Sequence, residues 1–140
     1  MKQKAGNRFV LDTSALLTLH YDEKGAEAVE TMLKDARNGR AHLFVSFISR
    51  MEMFYVIWKE HGREKGVESL RLLGYLPVKI VESNEEILLE AAKLKATKPL
   101  SLADSWVAAT SIHMRATLVH KNPEFESIED LVNMARLPYK

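Results

Sequence analysis

Four short apolar runs punctuate the chain, and the stretches between them carry apolar residues at helical spacing. Phe9-Val10-Leu11, His42-Leu43-Phe44-Val45, Val78-Lys79-Ile80-Val81 and Thr117-Leu118-Val119 are brief and β-prone, and read as strands. A short helix is predicted over 14–20. A second carries Ala26, Val29, Met32, Leu33 and Ala36 as one stripe and stops at Asn38-Gly39. Residues 46–49 lead into a helix over 50–60, with Met51, Phe54, Tyr55 and Trp58 expected on its inner face, and a further helix is expected over 66–73. Ser83 is expected to cap a helix buried through Ile87, Leu88, Ala91, Ala92 and Leu94, with Glu86 completing a capping box. Ser101 is expected to cap another helix that runs to about 114, and the tail 131–137 has room for a short fifth strand. Strands alternating with helices predict a mostly parallel, four- to five-stranded sheet. Helices on both faces make it a three-layer α/β/α sandwich, with one domain over residues 1–140.

Composition narrows the possibilities. At 46% hydrophobic and 28% charged residues, the chain has the balance of an ordinary globular protein. The absence of cysteine removes disulfides, thiolate zinc sites and cysteine nucleophiles, and fits a reducing cytoplasm. No apolar run approaches the roughly 18–20 residues of a membrane span. The basic start is followed by a short apolar stretch broken by Asp12, which does not fit a signal peptide. A formal net charge of +1 leaves no broad basic surface, so nucleic-acid contact is expected to be local or to work through bound cations.

Against this background three carboxylates stand out. Asp12 ends the first apolar run, at the edge of the sheet where ligands of open α/β proteins gather. It also suits the N-cap of the helix that follows. Glu52 lies three residues after Ser49, and Asp104 three after Ser101, so each also fits a capping box. Yet both helices start on the same edge of the sheet as the tip of strand one. The helix carrying Asp104 is rich in small residues (Ala103, Ser105, Ala108, Ala109, Thr110, Ser111), which would let it lie close to the strand tips. Two carboxylates ~4 Å apart repel by about 4 kcal/mol at an effective dielectric of ~20, and a cation resolves that conflict. Asp12, Glu52 and Asp104, completed by water, suit Mg2+ or Mn2+. Thr13 and Ser101 place hydroxyls beside the cluster, as caps or as holders of metal-bound water. Arg50 adjoins it, as a solvated arginine or an RNA phosphate contact. His120 lies near the predicted site and reads better as a surface or core residue. The five histidines show no zinc-protease spacing, and there is no nucleophile elbow or Gly-rich phosphate loop.

Leu11-Asp12-Thr13-Ser14-Ala15-Leu16, Ser49-Arg50-Met51-Glu52-Met53, Leu100-Ser101-Leu102-Ala103-Asp104-Ser105 with Ala108-Ala109-Thr110, and Thr117-Leu118-Val119 leading to Asn122-Pro123-Glu124-Phe125 together resemble a PIN-domain ribonuclease. The resemblance is strongest to the VapC-type toxins of prokaryotic toxin–antitoxin pairs and covers nearly the whole chain. It implies a flavodoxin-like sandwich, three or four acidic site residues, Mg2+ or Mn2+, endonucleolytic cleavage of RNA, homodimers and a small cognate antitoxin. The family usually places an aspartate at the position of Asn122, or an asparagine there with an acidic residue two or three positions later. This chain has Asn122 and Glu124, so the fourth ligand falls to one of these two.

Two rival readings belong to other classes. A receiver-type phosphoacceptor domain also uses a strand-tip aspartate and Mg2+, but expects an acidic pair near strand one and an aspartate on strand three. Here Asp12 stands alone and strand three ends in Val81-Glu82. A PIN-like domain without catalysis, acting as a binding module, draws its support from Asn122.

Overall fold

The computed structural model describes residues 6–139. Its centre is a five-stranded sheet built from β1 (Arg8–Leu11), β2 (His42–Ser46), β3 (Val78–Val81), β4 (Thr117–His120) and β5 (Met134–Arg136). The spatial order is β3-β2-β1-β4-β5 and every pairing is parallel. The chain therefore steps outward from β1 through β2 to β3, then returns to the other side of β1. That reversal puts a crevice at the C-terminal end of β1, between its two neighbours, which is where such sheets bind ligands.

Strand alternation feeds two cores. Val10, Phe44 and Leu118 point into one, filled by α5 (Glu85–Thr97), α6 (Leu102–His113) and a short 3-10 helix (Pro123–Ile128). Leu11, Leu43, Val45 and Val119 point into the other, covered by α1 (Thr13–His20), α2 (Ala26–Arg37), α3 (Phe47–His61) and α4 (Arg63–Leu73). The result is the expected three-layer α/β/α sandwich, with the fifth strand present. Among the described residues no helix is long and apolar enough to cross a membrane.

Several boundaries and faces differ from the sequence reading. α3 begins at Phe47, capped by Ser46, whose side chain accepts from the Ile48 N–H. Ser49 is thus inside the helix, fully buried, and the expected capping box with Glu52 does not form. The inner face of α3 is Ser49, Met53 and Ile57, while Met51, Tyr55 and Trp58 are exposed. α3 has apolar residues on two sides, and the smaller set fits against the sheet. α4 starts at Arg63 rather than 66. α5 is capped by Asn84 instead of Ser83, and it buries Ile87, Ala91 and Leu94 while Leu88 and Ala92 face solvent.

α3 and α4 form a tight hairpin. A Cβ at Gly66 would meet the Phe54 ring at 2.7 Å, so the aromatic side chain occupies the space a larger residue would need. Gly66→Val is expected to lower the unfolding free energy by about 1–3 kcal/mol, read from urea denaturation. An unchanged midpoint would show that the hairpin repacks freely.

Candidate metal centre

The site is assembled where three elements meet at the end of β1. Asp12 follows β1 directly, and its N–H donates to the Val119 carbonyl at 3.0 Å, extending the β1–β4 pairing to its last rung. Its Oδ2 caps α1 by accepting from the Ser14 N–H at 3.0 Å, and it accepts from the Ser14 hydroxyl as well. Capping does not consume the carboxylate, because Oδ1 is buried with no hydrogen-bond partner. Leaving an acceptor in that state is costly in a folded protein. Burial pushes the Asp12 carboxyl up to about 7, against the lowering effect of the two Ser14 bonds, and the charges of Asp104 and Glu52 add to the rise.

Glu52 comes from the second turn of α3. The Thr13 hydroxyl lies 2.6 Å from Glu52 Oε1 and 2.9 Å from Ser49 Oγ. A hydroxyl has one proton to give, so Thr13 donates to the carboxylate and accepts from Ser49. Asp104 sits in the first turn of α6, where its N–H donates to the Ser101 side chain at 3.2 Å. Ser105, Ala108, Ala109, Thr110 and Ser111 are buried, which lets this helix lie against the sheet and carry Asp104 inward. Burial also pushes the Asp104 carboxyl up, to about 6. Glu124 and Glu52 raise it further, while hydrogen bonds from Ser101 and Asn122 pull it down.

The fourth corner has a specific arrangement. Asn122 Nδ2 donates to Asp104 Oδ2 at 3.0 Å, while its Oδ1 accepts from the Glu124 N–H at 3.1 Å and caps the 3-10 helix. Only the oxygen can accept from a backbone N–H, so the amide orientation is fixed and the NH2 group faces the site. Glu124 is exposed on the following turn. His120 is buried in edge contact with Phe125, and its Nδ1 accepts from the Asn122 N–H at 3.1 Å, so it is a core histidine.

Asp12, Glu52, Asp104 and Asn122 line one open cavity of about 290 Å3, together with Ser14 and Lys121. Lys121 had no role in the sequence reading, and Ser14 entered only as part of the motif around Asp12. The Ser14 hydroxyl accepts from the Lys121 N–H at 2.9 Å, tying the chain beyond β4 to the start of α1. No local pattern announces a bond across 107 residues. Among the described residues, no three Asp, Glu or His groups stand close enough to form a ready-made ion cage. Each carboxylate is held instead by a neutral donor: Ser14, Thr13 or Asn122. The donor set is all oxygen, anionic and mutually repulsive, which fits a hard divalent cation.

A family model for the PIN domain matches residues 9–131. The chain belongs to the PIN-domain family. No curated protein gives a significant match. Among solved structures, this PIN domain is similar to VapBC-1 from nontypeable Haemophilus influenzae, with 26% identity and a TM-score of 0.69 over 92% of this chain and 97% of that one. It is also similar to VapBC2 from Rickettsia felis, a structure bound to promoter DNA, at 18% identity and TM-score 0.74 over 94% and 99%. The sarcin–ricin loop cleaving toxin VapC20 of Mycobacterium tuberculosis aligns at 12% identity and TM-score 0.69 over 84% and 92%. The VapC-type resemblance carried by the motifs therefore extends to the fold as a whole.

The raised Asp12 pKa has a defined sign for stability. The unfolded carboxyl ionises near its usual 3.8 and the folded one near 7, so between these pH values the folded chain holds the extra proton. Stability without a cation should therefore fall as pH rises from about 4 to about 7, by about 2–4 kcal/mol. Asp12→Asn should flatten that slope in urea titrations with chelator. An equally steep slope in the variant would place the effect elsewhere.

Proposed function

We propose that this PIN domain, acting as one unit over residues 1–140, is a divalent-metal-dependent endoribonuclease and the toxin of a type II toxin–antitoxin pair in the cytoplasm. The observation that carries this reading is the convergence of Asp12, Glu52 and Asp104 on one open cavity, with Asp12 Oδ1 buried and unpartnered. These carboxylates would hold Mg2+ or Mn2+. Such an ion, when bound, supplies activation of water and neutralisation of charge on the phosphate.

The chain's own residues divide the remaining work. Thr13 fixes Glu52, and Ser101 caps the helix that sets the backbone of Asp104. Asn122 holds Asp104 from the β4 side with a proton rather than a lone pair, so it acts as a positioning residue for the third carboxylate. Glu124 adds negative charge from the surface. Arg50, exposed on α3, is assigned an RNA phosphate contact.

The partners follow from the family and from the surface. The VapBC neighbours support a small antitoxin as partner. Exposed Met51, Tyr55 and Trp58 on α3, Leu72 near the end of α4 and Tyr75 in the turn after it offer apolar contact to an antitoxin or to a second copy in a homodimer.

Asp104→Asn should lower RNA cleavage with Mn2+ by about 10²–10³-fold while the variant stays folded. Undiminished cleavage would reject the assignment. In calorimetry the parent protein should bind Mn2+, and a null titration would favour a binding module without catalysis. Asn122→Asp should tighten Mn2+ binding by about tenfold and destabilise the metal-free protein above neutral pH, since it adds a charge and removes the donor to Asp104. Weaker Mn2+ binding in this variant would show that the amide itself is required.

A further inference from the structure

The carboxylate cavity continues past Glu52. A second cavity of about 590 Å3 shares Ser14, Leu17, Val56 and Lys121 with the first. The helix registers explain the continuity. Ser14, Leu17 and Tyr21 succeed one another along α1 and its C-cap, and Glu52, Val56 and Glu60 succeed one another at four-residue steps on α3. Two facing helices thus form a trench with the carboxylates at one end and Tyr21, Glu23, Glu60 and Tyr139 at the other.

We infer that this far end is a nucleobase subsite for the nucleotide beside the scissile phosphate, and that it selects guanine. The inference rests on the nuclease reading above and specifies its substrate. The volume falls within the roughly 300–1,000 Å3 of small-molecule sites. Leu17 and Val56 give a base apolar walls to pack on. The charged acceptors are the carboxylates of Glu23 and Glu60, which repel a phosphate and favour N–H donors. Glu60 is exposed; the Tyr21 hydroxyl donates to its Oε2 at 3.0 Å, and His61 Nε2 lies 3.8 Å from the same oxygen. Guanine alone presents a ring N–H and an amino group side by side on its Watson–Crick edge, matching the two oxygens of a carboxylate. Adenine and cytosine set a ring lone pair beside the amino group, and uracil flanks its N–H with two carbonyls. Each would turn a lone pair toward Glu60.

Tyr139 also lines the cavity, with its hydroxyl turned into the protein, buried and without a hydrogen-bond partner among the described residues. Lys121 stands where the two cavities meet. Its side chain is only 13% exposed, and its ammonium lies 3.5 Å from Glu23 and 3.2 Å from the Lys24 carbonyl. A backbone phosphate passing from base subsite to carboxylates would cross this cation.

The test is titration of the protein with GMP, AMP, CMP and UMP in chelator, followed by NMR, so that neither metal nor cleavage is needed. GMP should bind at least about tenfold more tightly than the others, with shifts at Leu17, Tyr21, Val56 and Tyr139. Glu60→Gln should abolish that preference with unchanged melting temperature. Equal binding of the four nucleotides, no binding at all, or a GMP preference that survives Glu60→Gln overturns the subsite. RNA cleavage is scored separately. Guanine-selective binding without cleavage would fail the nuclease reading alone, and cleavage without guanine preference would fail the subsite alone.

Discussion

The site depends on the parallel pairing of β1 with β4 being carried one residue past the end of β1. The Asp12 N–H bonds to Val119, and the Ser14 hydroxyl then takes the Lys121 N–H, so the chain just past β1 is tied at two points to β4 and the residue after it. Everything that converges on the crevice is referenced to that seam. α1 leaves from it, the Asn122 turn starts from it, and α6 is drawn to it through the bond between Asn122 and Asp104. A shift of one residue in this pairing would turn Leu11 and Val119 out of their core, so the hydrophobic packing below enforces the geometry of the polar groups above.

That seam also accounts for the electrostatics. Buried carboxylates cannot share water as counter-charge, so the chain supplies neutral donors and helix N-termini. These hold the side chains in place without neutralising them. Asp12 and Asp104 consequently keep raised pKa values despite their hydrogen bonds.

Much of this was legible in the sequence. Four short β-prone runs at regular intervals determine the parallel sheet, and an aspartate closing the first of them marks the crevice. The small residues of α6 signalled its close approach, and they are indeed buried. The reading failed where one segment carried two messages. Ser46-Phe47-Ile48-Ser49 looks like a lead-in to a helix but is its cap and the start of its first turn, which moves Glu52 out of any capping role. Met51, Tyr55 and Trp58 have the mass of a core face, yet it is Ser49, Met53 and Ile57 that are buried. The bond between Ser14 and Lys121 escaped notice for another reason. One acts through its hydroxyl on a distant backbone amide, and the other gains its place from where β4 ends. Neither leaves a trace in local spacing.

The orientation of the Asn122 amide has a bearing on charge balance. With its carbonyl engaged by the 3-10 helix, the residue is neutral and contributes no lone pair to the cavity. Three carboxylates around one dication would sum to −1, whereas a fourth would make −2. On the proposed reading, a polyanion approaching this crevice would meet the smaller residual field, which would relax the need for a compensating basic surface. In a chain whose formal net charge is only +1, a neutral side chain at that corner and a nearly neutral exterior are two sides of the same electrostatic solution.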